Sequence, residues 1–464
     1  MATLDSVPPE LLIKIFKSTL PTPTTREEAL EMDKKPVPLF DQEPWGLVRV
    51  CGRWRAVVLN TPGMWAVLSM SIPAHKAPGP WVTYPIALLK EHISRAGQHP
   101  LRITLLSDEL PGFTTKTIFR TIVDSCARWE TLDLVSECSL PMHSLLRMRN
   151  NIPLLREVNI CAHCEESYLG QNIFEFAPSL QLVRITGSGT RSNASRHKAY
   201  NQGRILSGGS SFLWPDWREP KLELDAIFPW AQLTHYESDF THPCHFDALC
   251  RAEKLVVCQA TVAVLNRDVD WSPRSQLVHF MHLRTLKLDL WPGSLLDCLV
   301  LPALQELFIG VNPTHFHHVV ALVRRSQCSL RKFWIRAEPD HPAHYREILA
   351  ANPDIVELGL MGCDNVDSII RALRIDAPDL LVPHLVTFYI NEKVGIDMIA
   401  VLEMVKGRIG SGLRRLCIMA WLRGFPEDAR ARLWELEEMG LQVQFTAEDE
   451  QMDGFGASRL SEHL

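Results

Sequence analysis

The stretch that decides the fold begins at residue 304 and reads Leu304-Gln305-Glu306-Leu307-Phe308-Ile309, and the same pattern returns as Leu330-Arg331-Lys332-Phe333-Trp334-Ile335. Both copies follow Leu-x-x-Leu-x-Leu, in which another apolar residue can replace leucine. Alternation of core positions with other residues is typical of a β-strand. Residues 316–325, between the two copies, have the apolar spacing of an amphipathic helix. Each period is therefore predicted to contain one strand and one helix.

Nine copies of this pattern occur along the chain. Their apolar positions are Trp129/Leu132/Leu134, Leu155/Val158/Ile160, Leu180/Val183/Ile185, Leu283/Leu286/Leu288, Leu304/Leu307/Ile309, Leu330/Phe333/Ile335, Ile355/Leu358/Leu360, Leu385/Phe388/Ile390 and Leu413/Leu416/Ile418. The first positions lie 26 and 25 residues apart in the early copies, and 21 to 30 residues apart from residue 283 onwards. That spacing is close to the period of leucine-rich repeats, whose single units cannot bury their own apolar face and must stack.

The predicted fold is thus α/β, an irregular leucine-rich-repeat solenoid with parallel strands on its concave side and helices on its convex side. The helices are expected at residues 316–325, 345–351, 368–374 and 396–406. An ordinary α/β domain remains the alternative. The solenoid is assigned to residues 101–446, with a long loop at 187–229 where the period breaks, and residues 447–464 are expected to be a disordered tail because they are polar.

A separate helical module is predicted at the N-terminus. Ser6 is a candidate cap for a first helix, and the following prolines suit its first turn. One apolar stripe of this helix comprises Leu11, Leu12, Ile15 and Phe16. A second helix is expected over residues 45–59, with an apolar stripe comprising Leu47, Val50, Cys51, Trp54 and Val58. So short a module is only marginally stable alone, and one stripe can stay exposed for a partner.

These N-terminal residues resemble the F-box. The family pattern Leu-Pro-x-Glu-Leu-Leu-x-x-Ile-Phe is matched by Pro8, Glu10, Leu11, Leu12, Ile15 and Phe16. Its Val-Cys-x-x-Trp-Arg segment is matched by Val50, Cys51, Trp54 and Arg55, and its Thr-Pro-x-Leu-Trp ending by Thr61, Pro62 and Trp65. Val7 and Met64 stand where leucine is usual. An insertion at residues 21–44 is similar to the F-box variant of mushroom-forming (basidiomycete) fungi, as are a helix at 86–97 and a strand at 100–105.

The resemblance implies an F-box at residues 1–72, followed by a linker and connecting helix at 73–100. It also implies docking onto the Skp-type adaptor of an SCF cullin–RING ubiquitin ligase, and through that adaptor onto a cullin. The residues expected to bind the adaptor are Pro8, Leu11, Leu12, Ile15, Val50, Cys51 and Trp54. Residues of the repeats would then hold a protein substrate, so that the chain acts as a receptor by proximity. A repeat scaffold that works without a ubiquitin ligase is the alternative.

Several other classes of function are disfavoured. A formal net charge of -6 argues against nucleic-acid binding, and no apolar stretch is long enough to span a membrane. Without a signal peptide, the protein is expected in the cytoplasm or nucleus. Cys161-Ala162-His163-Cys164 has metal-like spacing but lacks a matching second pair, so neither a metal nor a cofactor is expected. The absence of a Walker loop or a nucleophile elbow predicts a chain that is not itself an enzyme.

The last expectation concerns the substrate. Residues that alternate with the leucines face the other side of the strands, and Phe308, Trp334 and Tyr389 take the same place in their repeats. Gly359 lies between the last two. The resulting aromatic column, with Lys332 and Arg336 beside it, has the composition of a binding hot spot. Its side chains are expected to be partly exposed to solvent, unless a loop or the tail covers them.

Overall fold

In the computed structural model, the chain is a mixed α/β protein built on parallel β-strands. The structure describes residues 7–20, 43–72, 86–107, 113–136, 145–162, 173–186, 228–238, 248–262, 277–290, 293–310, 316–336, 342–361, 367–377, 380–391, 397–419 and 427–446. The chain divides into two compact units, Met1–Leu233 and Thr234–Leu464. Ser6, almost all of the predicted insertion and of the predicted loop at 187–229, and the predicted tail lie outside the described residues.

The first unit begins with a small group of helices. These are α1 (Pro9–Thr19), α2 (Trp45–Val50), α3 (Gly52–Leu59) and a 3-10 turn (Pro62–Trp65). The first helix starts at a proline, as predicted, and Met64 and Trp65 are fully buried.

The prediction of one continuous second helix is wrong. Cys51 is extended (φ -157°, ψ 169°) and separates α2 from α3. The Cys51 thiol accepts a hydrogen bond from the backbone nitrogen of Trp54 at 3.5 Å, so this residue caps the helix that follows it. The apolar spacing runs through the break, since Leu47 before it and Val58 after it are both buried. Periodicity alone therefore did not reveal the cap.

The first unit continues as a parallel sheet whose strands follow each other in chain order: β1 (Val67–Ile72), β2 (Leu101–Ser107), β3 (Trp129–Ser136), β4 (Glu157–Ala162) and β5 (Leu182–Thr186). Two further helices are α4 (Ile86–Arg95) and α5 (Phe113–Val123). Gly97 lies just beyond α4 with φ +57°, as expected of a glycine at a helix C-terminus. The strand β1 was not predicted, and it lies within the span assigned to the F-box.

The second unit contains the longer run of strands. They are β6 (His235–Ser238), β7 (Val257–Val262), β8 (Val278–His279), β9 (Thr285–Leu290), β10 (Leu299–Val300), β11 (Glu306–Gly310), β12 (Lys332–Arg336), β13 (Glu357–Met361), β14 (Thr387–Asn391), β15 (Arg415–Met419) and β16 (Gln442–Thr446). Strands β8 and β10 form a separate parallel pair, and the others pair in chain order. The helices are α6 (Phe316–Ser326), α7 (Pro342–Ala351), α8 (Asp367–Ala372), α9 (Met398–Ile409) and α10 (Glu427–Glu438).

All nine predicted Leu-x-x-Leu-x-Leu segments form strands, and the four predicted helices of the second unit are present. The side chains at the second and third apolar positions of the pattern, such as Leu307 and Ile309, form the core of each unit and are almost completely buried, except for Ile185, which is half-buried. Strand β16 and helices α5 and α10 were not predicted. Among the described residues, no helix has the length and apolar character needed to cross a membrane.

Candidate functional site

An apolar surface is exposed on the N-terminal helices. Leu11 and Ile15, one turn apart on α1, are 48% and 52% exposed, and Val50 at the end of α2 is 58% exposed. Pro8 and Cys51 are exposed as well. Leu11 and Ile15 are neighbours on one face of α1, and exposed apolar side chains that group together are the usual sign of a protein–protein contact. Most of the residues predicted to bind an adaptor therefore lie at the surface of the module.

Two other residues of the predicted set differ from these. Leu12 is 1% exposed, so the structure places it in the core of the module and not on the outer surface. Trp54 is half-buried, and its ring lies 4.7 Å from that of Phe16, which is also buried. The apolar stripe on α1 thus has two sides. Leu12 and Phe16 pack in the core of the module, while Leu11 and Ile15 remain accessible to solvent.

A cluster missed in the sequence fixes this module to the start of the sheet. The rings of Trp45 and Trp65 lie 4.8 Å apart, and His92 of α4 packs against Trp65 at 5.3 Å. The Arg95 guanidinium lies 5.2 Å from the centre of the Trp65 ring. The His92 Nε2 atom is 3.1 Å from the Val67 carbonyl oxygen of β1. Burial lowers the pKa of His92 to about 4, so the imidazole is neutral at physiological pH.

The second candidate surface lies in the second unit, on the face of the strands opposite to the core residues such as Leu307 and Ile309. Phe308, Trp334, Gly359 and Tyr389 occupy paired positions on neighbouring strands, and Cys417 extends the column onto β15. The predicted register of the column is therefore confirmed. Trp334 lies 5.4 Å from Phe308 and 4.0 Å from Tyr389, measured between ring centres. Trp334 thus reaches across strand β13, whose residue at this position is glycine.

The expected solvent exposure of this column is wrong. Phe308, Trp334 and Tyr389 are 4–5% exposed and form a small apolar cluster with Met361 and Cys417. The physical reason lies at Gly359, where the missing side chain leaves room for the Trp334 indole. The space next to the glycine is consequently filled by the Trp334 ring. Large apolar rings gain more from this burial than from contact with water.

A row of charged residues lies beside the aromatic column. Lys332 pairs with Glu306 at 3.0 Å, with 29% of each side chain exposed, and Trp334 donates its indole N–H to Glu357 at 2.9 Å. Lys287 of β9 is paired with Phe308 and so continues the column, with its ammonium 5.1 Å from the centre of the Phe308 ring. Burial raises the pKa of Glu357 and lowers that of Lys287. Arg336 is half-buried and makes interactions of its own. Polar groups that a partner can reach are therefore found among these charged residues, whereas the aromatic members of the column are buried.

The same strand position carries a polar row in the first unit. Asp133 accepts hydrogen bonds from Thr104, at 3.2 Å, and from Asn159, and Arg184 donates to Asn159 at 3.0 Å. Burial raises the pKa of Asp133. Applying the alternation rule to β2 through β5 selects all four side chains, so the sequence contained a signal for this row. The row was not predicted because it contains none of the aromatic residues that mark a binding hot spot.

Within the described ranges, no three His, Cys, Asp or Glu side chains come close enough together to hold a metal ion. Of the Cys161–Cys164 segment, only Cys161 and Ala162 belong to the described part, at the end of β4. The geometry described above is suited to binding other proteins, since its exposed groups are apolar side chains and paired charges. No protein-family model matches this chain, and no curated protein matches it in sequence.

Proposed function

We propose that this protein is the substrate-recognition subunit of an SCF-type ubiquitin ligase, working in the cytoplasm or nucleus. Its N-terminal helices would be an F-box that docks onto a Skp-type adaptor, and its leucine-rich repeats would bind a protein substrate. The single observation that carries the proposal is the exposed apolar surface of Leu11, Ile15 and Val50 on the helical module. These residues coincide with the ones that match the family pattern.

The arrangement of this surface supports a docking role. A residue such as Leu11 or Ile15, about half exposed, loses its remaining contact with water only when a partner covers it. Truncating an apolar anchor in such interfaces typically costs about 1–4 kcal/mol of binding. The buried residues Leu12 and Phe16 form a separate foundation, so the outer surface can change without emptying the core of the module.

For the substrate, the proposal rests on the repeat face that carries Lys332 and Arg336 beside the aromatic column. Phe308, Trp334 and Tyr389 are buried, so we do not expect them to contact the substrate directly. Instead they would pack rigidly beside the charged residues and hold those residues in place. Rigid support of this kind lowers the conformational cost of binding for the groups above it. The substrate would then be read mainly by charge and hydrogen bonding at the half-exposed positions.

The docking prediction is tested with the double variant Leu11→Asp/Ile15→Asp in the full chain. We expect it to lose co-purification with a recombinant Skp-type adaptor, because two charges would have to be desolvated in an apolar interface. The matched control is Leu154→Asp, a change at a leucine that is 42% exposed and lies outside the module. The control should retain the adaptor, and circular dichroism should show that all three proteins are folded.

Adaptor binding that is equal in the double variant and in the parent protein refutes the F-box proposal. Cullin retention in the same pull-down separates the ligase from a scaffold, since a scaffold has no route to the cullin. Mass spectrometry of the retained proteins would identify candidate substrates in the same experiment.

A further inference from the structure

The last helix that the structure describes in the second unit exposes a large aromatic residue. Trp434 of α10 is 73% exposed, more than any other large apolar side chain among the described residues. The carboxylates of Glu437 and Glu438 follow it by three and four positions and are exposed too. Residues at this spacing are neighbours on a helix surface. Together Trp434, Glu437 and Glu438 form what we name the end flank.

The other sides of α10 are already occupied. Ala429, Leu433 and Leu436 are buried. On a second side, Arg432 and Glu435 form ion pairs with Glu403 and Lys406 of α9. At 100° per residue, Trp434 points away from both sides. Strand β16, which follows α10, pairs only with β15 in the described part of the sheet. The end flank is therefore the place where the next helix of the layer would lie.

Electrostatics indicates what kind of helix fits there. Glu437 and Glu438 lie in the last turn of α10, where the helix dipole is negative and where no basic residue offsets it. Neither forms an ion pair within the described residues, whereas Arg430 on the same flank already has an interaction of its own. Neighbouring helices of this unit are joined by opposite charges, such as Arg324 with Glu347 and Lys406 with Glu435. A neighbour on the end flank would by the same logic supply lysine or arginine.

We propose that the end flank binds a basic amphipathic helix of a partner protein. Trp434 would be covered by apolar side chains of that helix, and its lysines or arginines would pair with Glu437 and Glu438 and pack on the indole face. A second copy of the chain is disfavoured because it brings the same carboxylates. Residues 447–464 are disfavoured as well, since they contain five acidic residues and a single arginine. The inference is independent of the ubiquitin-ligase proposal.

The test uses a fluorescent peptide of about 18 residues, five helical turns, patterned from leucine and lysine as an amphipathic helix. Fluorescence anisotropy at physiological salt measures its affinity for the full chain. Trp434→Ala should weaken binding by roughly tenfold or more, as loss of a central tryptophan usually does. Glu437→Lys/Glu438→Lys should weaken it similarly and bind a twin peptide with glutamate in place of lysine. Ile375→Ala, at another exposed apolar side chain, should leave the affinity unchanged.

Equal affinity of the lysine peptide for the parent protein and for the Trp434 variant overturns the proposal, because binding would then reflect only the overall negative charge. The proposal also fails if light scattering shows a dimer that Trp434→Ala dissociates, since the occupant would then be a second copy. Competition by a synthetic peptide of residues 447–464 would assign the end flank to the chain's own C-terminus and overturn it equally.

Discussion

Gly359 offers a direct test of the packing in the aromatic column of the second unit. A Cβ atom at this position would lie 2.8 Å from Trp334 Cδ2, 2.9 Å from Cγ and 3.3 Å from Cε3. Two of these distances are shorter than real Cβ contacts. The indole has little room to yield, because Tyr389 lies on one side, Phe308 on the other, and the indole N–H is bonded to Glu357. Gly359→Ala must therefore displace a buried ring.

The expected cost follows from two opposing effects. Overpacking a core by one methyl group that forces side chains to shift typically costs about 1–3 kcal/mol. Replacing glycine by alanine at an ordinary backbone conformation gives back about 0.4–1 kcal/mol by restricting the unfolded chain. Gly359→Ala should thus lower the free energy of unfolding by about 1–2 kcal/mol. A glycine in open space would show the opposite sign.

Urea unfolding of the full chain, followed by circular dichroism, measures this effect. The control is the same substitution at Gly407 of α9, where a Cβ meets only Ile375 Cγ2 at an ordinary 3.6 Å. Gly407→Ala should raise the unfolding midpoint, because alanine favours a helix by up to about 1 kcal/mol over glycine. In a Trp334→Val background, Gly359→Ala should no longer be destabilising. If Gly359→Ala is neutral or stabilising in the parent protein, the indole does not lie over the glycine.

Two further predictions concern buried side chains that can be charged. Because the pKa of His92 is about 4 in the folded protein and near 6.5 when unfolded, the unfolded state takes up the proton first as the pH falls. The contribution of His92 to the free energy of unfolding is fully present above pH 6.5. It should fall by about 2 kcal/mol at pH 5 and by about 3 kcal/mol below pH 4. Urea midpoints at pH 7.5 and 5 should differ less in His92→Gln, and an equal difference in both proteins would contradict the burial. Arg408→Met should cost about 3 kcal/mol relative to the exposed control Arg414→Met, because the buried guanidinium donates to the carbonyls of Leu373, Leu381 and Val382. Burial lowers the pKa of Arg408 to about 10, so it stays charged at neutral pH, and midpoints within about 0.5 kcal/mol of each other would show that these bonds contribute little.

The repeat strands could be predicted because one physical requirement recurs along the chain. Each Leu-x-x-Leu-x-Leu places two or three side chains on the same face, and in the structure positions such as Leu358 and Ile390 are almost fully buried. Strand β16 was not predicted, because it carries glutamine at alternate positions and lies at the edge of the described sheet. Strand β1 does alternate, with Leu68 and Met70 buried, but it directly follows the helical module and lies within the span that the resemblance assigns to the F-box.

The candidate sites were predicted less completely, for a different reason. The period of two along a strand determines which residues share a row, so the alignment of Phe308, Trp334 and Tyr389 followed from the sequence. Whether that row faces water depends on the rotamer of Trp334 over Gly359, which no spacing rule contains. On α1, the pair Leu11 and Ile15 and the pair Leu12 and Phe16 are shifted by one residue, and both pairs are apolar. Sequence periodicity therefore could not tell that Leu12 is buried while Leu11 is exposed.

The two units fill the same strand position by opposite means, and this bears on the surface proposed for a substrate. In the first unit, Asp133 is held by Thr104 and Asn159, so its carboxylate has partners inside the protein. In the second unit, Trp334 and Tyr389 cover each other. Each row thereby satisfies its own side chains, and a partner would gain little by displacing them. In the second unit, the proposed substrate is consequently expected to contact the half-exposed neighbours of the column, such as the Glu306–Lys332 pair, where a substrate charge can replace an internal one at small cost.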